Sequence, residues 1–226
     1  MKKKILAISL VVAMLAIAVI GGTLAYFTDE DAADNVFTMG SVDIELYESR
    51  YHRQGMMDAD TSNDGKVYTD DEIIADAETY QDQYLAVQGK DIVPGRIVMK
   101  NPYIKNTGKS AAYVRTRVIL DAGLLDIIDI NFTQTAINNG EMTMAVSQPD
   151  ANGKVTATFT YTEPLEPGEM TYWNCISNFM IPTDLDQADV LAYQNLQNII
   201  RVEADAIQAE TFADATAAFA AFDAQN

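Results

Sequence analysis

Cysteine and histidine are almost missing from this 226-residue chain, which has one of each, Cys175 and His52. A lone cysteine forms no internal disulfide, and no thiolate zinc site can be assembled from it. In an alternating stretch beside Trp173 it reads as a buried small apolar residue. A single histidine excludes the H-E-x-x-H zinc motif and leaves any Ser-His-Asp triad only His52 to build on. That residue sits in Tyr51-His52-Arg53-Gln54-Gly55, a polar run that reads as a loop. No glycine-rich phosphate loop occurs, and no carboxylate pair stands apart from the others as a glycosidase would need. The sequence therefore reads as a non-enzyme with no zinc site. Positive charge is scarce too: 15 Lys and Arg against 33 Asp and Glu leave a net charge of −18. This excludes nucleic-acid binding by phosphate neutralisation and sets the chain against anionic lipid headgroups. It suits solubility outside a cell, and it leaves cation binding open.

The few lysines are unevenly placed. Met1-Lys2-Lys3-Lys4 precedes an apolar run, Ile5 to Ile20, interrupted only by Ser9, and then Gly21-Gly22-Thr23-Leu24-Ala25. A basic start, an apolar stretch and small residues predict a secretion signal over residues 1–25, cut by a signal peptidase between Ala25 and Tyr26. A retained membrane helix is the competing reading, since the run approaches the ~20 residues that span a bilayer. Against it, Asp29, Glu30 and Asp31 stand where a basic stop-transfer cluster would be. Cleavage removes three lysines and takes the charge from −18 to −21. The expectation is a secreted protein of the extracellular matrix or cell surface, in contact with membrane only before cleavage.

Residues 26–226 read as a single antiparallel β-sandwich domain, jelly-roll-like and mainly β. Two-residue alternation marks strands at Val42 to Tyr47, Ile97 to Ile104, Ala111 to Leu120, Val155 to Tyr161, Met170 to Ile181 and Ile199 to Ala206. In the last of these, Arg201, Glu203 and Asp205 point outward. Val93-Pro94-Gly95, Asn138-Asn139-Gly140, Asp150-Ala151-Asn152-Gly153 and Glu166-Pro167-Gly168 supply turns, and the Asn-Gly before Val155 signals a hairpin. A C-terminal helix is predicted at about 211–224, with Thr211-Phe212-Ala213-Asp214 resembling a capping box and Phe212, Ala215, Phe219 and Phe222 on one side. An insertion at about 49–88 carries a second helix, from Asp70 to about Tyr84.

Within the insertion, Asp60 to Asp71 fits the register of a twelve-residue calcium loop. Asp60, Ser62 and Asp64 occupy positions one, three and five, Gly65 permits the turn at six, Val67 is the apolar eighth, and Asp71 closes the loop. Lys66 would offer its backbone carbonyl, and Tyr68 holds the ninth place. A hard cation needs such converging oxygens, so calcium is expected as a structural staple of the insertion. The plain alternative is an acidic Asx-turn loop. The run resembles the loop of dockerins, which also close with Asp.

The junction Gly21-Gly22-Thr23-Leu24-Ala25-Tyr26-Phe27-Thr28-Asp29, continuing through Asn35-Val36-Phe37-Thr38-Met39-Gly40-Ser41-Val42-Asp43-Ile44, resembles the signal and first strand of the TasA/camelysin family, processed by the dedicated signal peptidase SipW. Val93-Pro94-Gly95 with Lys100, Asn106-Thr107-Gly108, Ala112-Tyr113-Val114-Arg115 and Glu203 to Ala209 extend the resemblance. It implies a jelly-roll subunit, secreted by a Gram-positive-type bacterium and built into biofilm matrix fibres. The partners implied are like subunits in a homopolymer, with other matrix proteins or polysaccharide around them. The mature N-terminal segment, with Tyr26, Phe27, Val36 and Phe37, would add as a strand to a neighbouring subunit. Camelysin-like members are associated with metallopeptidase activity, which this sequence does not support with a zinc motif. A calcium-stabilised monomeric surface module or accessory adhesin is the alternative.

Overall fold

A computed structural model describes residues 28–32, 42–51, 53, 66–88, 94–95, 97–125, 129–180, 182–185, 188 and 200–225. In chain order the first half contains β1 (Thr28–Ala32), β2 (Ile44–Ser49), α1 (Asp70–Gln88), β3 (Ile97–Met99), β4 (Asn101–Asn106), β5 (Ala112–Asp121) and α2 (Ala122–Leu125). It continues with β6 (Asp129–Phe132), α3 (Gln134–Asn138), β7 (Met142–Val146), β8 (Lys154–Tyr161), β9 (Ile176–Met180), β10 (Arg201–Gln208) and α4 (Ala215–Asp223).

Alternation decides which face each strand buries. In β8, Val155, Ala157, Phe159 and Tyr161 are buried while Lys154, Thr156, Thr158 and Thr160 are half-exposed, the pattern of a sheet with one packed face. In β5, Ala112, Val114, Val118 and Leu120 join the same core, and β10 adds Val202, Ala204 and Ala206. These strands form an antiparallel five-stranded sheet in the order β1-β10-β5-β8-β7. The β7-β8 hairpin turns where Asp150 Oδ1 accepts the N–H groups of Asn152 and Lys154, both at 2.8 Å. Gly153 takes a φ of +74° there, which a side chain would disfavour.

The second layer covers this sheet. β2 pairs with β4, while β9 lies between β3 and β6. Lys100 alone separates β3 from β4, and its N–H donates to Ser177 O at 3.0 Å, so 97–106 runs on through a change of partner. Val42, Ile44, Ile104, Cys175 and Ile176 are this layer's share of the common core. The protein is thus a mainly β, antiparallel β-sandwich, as alternation predicts. Cys175 is fully buried, and burial pushes its thiol up to about 12, which keeps it protonated.

Three expectations need correction. The strand expected over Met170 to Ile181 is regular only from Ile176. Before that point the Asn174 side chain donates to Asn101 Oδ1 (2.8 Å) and Ile176 O (2.9 Å), and such side-chain bonds compete with a ladder. The C-terminal helix begins at Ala215, and its cap is Asp214, not Thr211: extended Asp214 accepts the Ala217 N–H at 2.8 Å. Asp205 does face away from the inter-sheet core, yet it is 0% exposed because α4 lies over it. The strands β6 and β7 have no counterpart among the expected ones.

The insertion's helix is fixed by a buried carboxylate. Asp76 of α1 accepts from the Ser49 hydroxyl (2.9 Å), the Arg50 N–H (2.8 Å) and the Arg50 guanidinium (2.6 and 2.8 Å) at the end of β2. Ile73, Tyr68, Tyr103 and Met170 form a small core beneath it. Replacing Asp76 with Ala strands those donors, so Asp76→Ala is expected to cost about 3 kcal/mol in urea unfolding and to speed amide exchange across 70–79.

Candidate functional site at the β10 edge

β10 is the strand on which the predicted assembly segment bears. Part of that segment, β1, pairs antiparallel with β10 of its own chain, from Thr28 opposite Ile207 to Ala32 opposite Glu203. On its other side β10 pairs with β5 over eight residues, Arg201 opposite Ile119 to Gln208 opposite Ala112. Without β1, β10 would be an open edge with a row of unpaired backbone groups. Tyr26, Phe27, Val36 and Phe37, and the expected cut after Ala25, lie outside the described residues.

The outer face of β10 holds a ladder of charge. Arg115 Nε donates to Asp205 Oδ2 at 2.6 Å, and Arg117 donates to Asp205 Oδ1 at 2.7 Å. Arg117 also pairs with Glu203 at 3.2 Å, and Glu203 with Arg201 at 2.7 Å. Register explains the meeting: Arg115 lies opposite Asp205, and Arg117 opposite Glu203, on paired strands. Arg115 then grips Asp223 of α4 with both terminal nitrogens, at 2.7 and 3.0 Å. Its guanidinium also lies over the rings of Phe219 (4.6 Å) and Phe222 (5.1 Å). Burial works against the charge on Arg115, but the Asp223 and Asp205 hydrogen bonds outweigh it and raise the pKa. Arg115 holds the Asp223 carboxyl below its usual range. Phe219, Phe222, Ala215 and Ala218 close over Tyr113 and Ile207, and each buried ring contributes about 1.5–3 kcal/mol. The outward alternation of Arg and Asp is visible in the sequence, but the strand pairing that joins them is not.

The calcium-like loop is described only from residue 66, so Asp60, Ser62 and Asp64 lie outside the described residues, as does His52. Lys66, Tyr68 and Asp71 are the candidates that fall within the described residues. The Lys66 ammonium pairs with Glu72 at 2.6 Å and lies 4.5 Å from the Tyr68 ring centroid. The Tyr68 ring is buried and stacks on Tyr51 at 4.1 Å, and Val67 is 72% exposed instead of turned inward. Asp71 is exposed, and the described residues contain no cluster of three or more His, Cys, Asp or Glu suited to a metal. What they do contain is a capping box. Thr69 N–H donates to Glu72 Oε2 at 3.0 Å and the Glu72 N–H donates to Thr69 Oγ1 at 3.3 Å, starting α1. The Lys66 hydrogen bond, then those from Thr69, hold the Glu72 carboxyl at about 2. Thr-x-x-Glu is legible in the sequence and accounts for the helix start without metal.

An antiparallel sandwich whose first strand closes a sheet edge defines the class of protein. Residues 1–51 match the family model of the camelysin metallo-endopeptidases, so the likeness to the TasA/camelysin family is supported over that N-terminal stretch. No curated protein and no solved structure matches the chain. The matched stretch contains neither histidine nor cysteine.

Removing the buried Asp205 carboxylate leaves Arg115 and Arg117 facing each other's charge. Asp205→Ala is expected to cost about 3–5 kcal/mol in urea unfolding. Asp223→Asn, on a side chain 58% exposed, is expected to cost no more than about 1 kcal/mol. Because the Asp223 pKa is depressed in the folded state, its contribution is complete above 3.8 and is lost as pH falls through the lowered value. Amide exchange in α4 should rise over that acid range in the wild type and not in Asp223→Asn.

Proposed function

We propose that this protein is a secreted structural subunit of extracellular matrix fibres, polymerising by donation of its N-terminal strand to β10 of a neighbouring copy. The observation that carries the reading is the backbone pairing of β1 with the β10 edge, by a segment that begins just beyond the expected cleavage point. A strand held by main-chain hydrogen bonds exchanges its own β10 for a neighbour's with the same bonds re-formed, so the swap costs little. Residues 33–41 lie between β1 and Val42, and an extended linker of that length reaches about 35 Å, enough to cross to an adjacent subunit. A head-to-tail exchange of this kind does not close, so it propagates as a filament.

In this reading the signal peptide controls assembly: before cleavage the strand is tethered at the membrane, and afterwards it is free to be donated. The secreted chain is not an enzyme, and the camelysin description is not carried over as an activity, because the matched residues supply no nitrogen or sulfur ligand for zinc. Calcium stands as a staple of the insertion on the spacing of Asp60, Ser62, Asp64 and Asp71 alone. A calcium-dependent rise in Tm that Asp64→Ala abolishes would support it, and an unchanged Tm would remove it.

Electron microscopy of the chain lacking residues 1–25 tests the main reading. Filaments are expected, and deletion of residues 26–32 should abolish them while leaving the monomer folded by circular dichroism. A chain that stays monomeric at every pH and salt tested, or filaments that persist after the deletion, would overturn it.

A further inference from the structure

A pocket of about 460 Å³ opens beside β5, the end of β8 and the segment 163–173. Val114, Leu165 and Met170 are apolar residues of its lining. One wall is the pair Tyr172 and Trp173, set edge to face at 5.1 Å, and Tyr172 is 54% exposed, unusual for so large a ring. Four carboxylates line the cavity against a single guanidinium, that of Arg53. Arg53 is already matched, since it pairs with Asp70 at 2.6 Å and lies 5.6 Å from the Tyr172 ring centroid. Glu141, Glu163 and Glu169 are therefore left without a basic residue of the lining to balance them. Glu141 accepts the Trp173 indole N–H at 2.9 Å, which orients the ring and keeps the carboxylate at the wall.

From this geometry we infer that the cavity is a binding site for a lysine or arginine side chain of a basic peptide segment. The apolar lining and the aromatic pair accept an aliphatic stem, and the carboxylates and the exposed ring of Tyr172 accept its cationic head. Arg53 demonstrates the recognition within the chain itself: a guanidinium against Tyr172 with a carboxylate beside it. The surplus of negative charge decides against anionic ligands, phosphate and nucleic acid among them. The site does not rest on strand exchange, because filament and monomer would carry the same cavity.

Trp173 is the only tryptophan of the chain, so its emission reports directly on the cavity. Acetyl-tetralysine amide, titrated into the purified protein at about 0.15 M salt, should change that emission saturably, whereas acetyl-tetraglutamate amide and the neutral saccharide cellotetraose should not. Glu163 and Glu169 are both exposed, and Glu163→Gln with Glu169→Gln should weaken tetralysine at least about tenfold with no change in fold. Asp184→Asn with Glu210→Gln removes the same charge outside the cavity and should change the affinity by less than about twofold. Equal weakening by the two double variants would reduce the effect to diffuse attraction and overturn the site. Saturation by cellotetraose without a response to tetralysine would overturn the ligand class.

Discussion

A carboxylate with no exposed surface ties two strands of one sheet to the helix that covers them. Asp205 sits in the middle of β10 between Arg115 and Arg117 and under α4, bonded to both guanidinium groups. Burying one charge without partners costs several kcal/mol, and burying it between two cations that themselves reach Asp223 and Glu203 spreads that cost over a hydrogen-bonded ladder. The ladder fixes the register of β10 against β5, because a slip by one residue would turn Asp205 into the apolar core and Ala204 out to the arginines. It also fixes α4, whose last residue is the far end of the same network.

The consequence for function lies on the opposite edge of β10. β5, the ladder and α4 hold one side of the strand by contacts in which β1 takes no part. Inward small residues, Ala204 and Ala206, bring the second layer close, while β1 contributes backbone pairing along the free edge. An acceptor edge braced on its other side and a donor that pairs through its main chain are the two parts that strand exchange requires. The insertion is anchored independently, through Asp76 and the Tyr68-Ile73-Tyr103 core, so α1 is secured without drawing on β10.

Elements with their own local signal were legible in the sequence. The regular alternation of 154–161, the Asp-Ala-Asn-Gly turn before it and the apolar face of the final helix each rest on residues a few positions apart. What was illegible depends on contacts far apart in the chain. Arg115 and Asp205 are 90 residues apart and meet only because β5 and β10 are neighbours in a sheet whose order does not follow the sequence. The cavity likewise gathers residues from 53 to 173. Residues 66–72 carry a second local signal beside the ligand register: Glu72, just outside the twelve-residue window, takes Lys66 and Thr69 as partners where α1 starts.

The pairing of Asp29 with Ala206 offers the most direct measurement of which chain supplies the strand. Directly opposed antiparallel residues have Cα atoms about 4.5–5.5 Å apart, within the range that a disulfide bridges, and the buried, protonated Cys175 does not compete. Asp29→Cys with Ala206→Cys, assembled under reducing conditions and then oxidised, should give a ladder of covalent oligomers on a denaturing, non-reducing gel. The same variant oxidised before assembly should be locked as a monomer and form no filaments. Filaments whose oxidation yields only monomers with an internal disulfide would contradict strand donation between subunits.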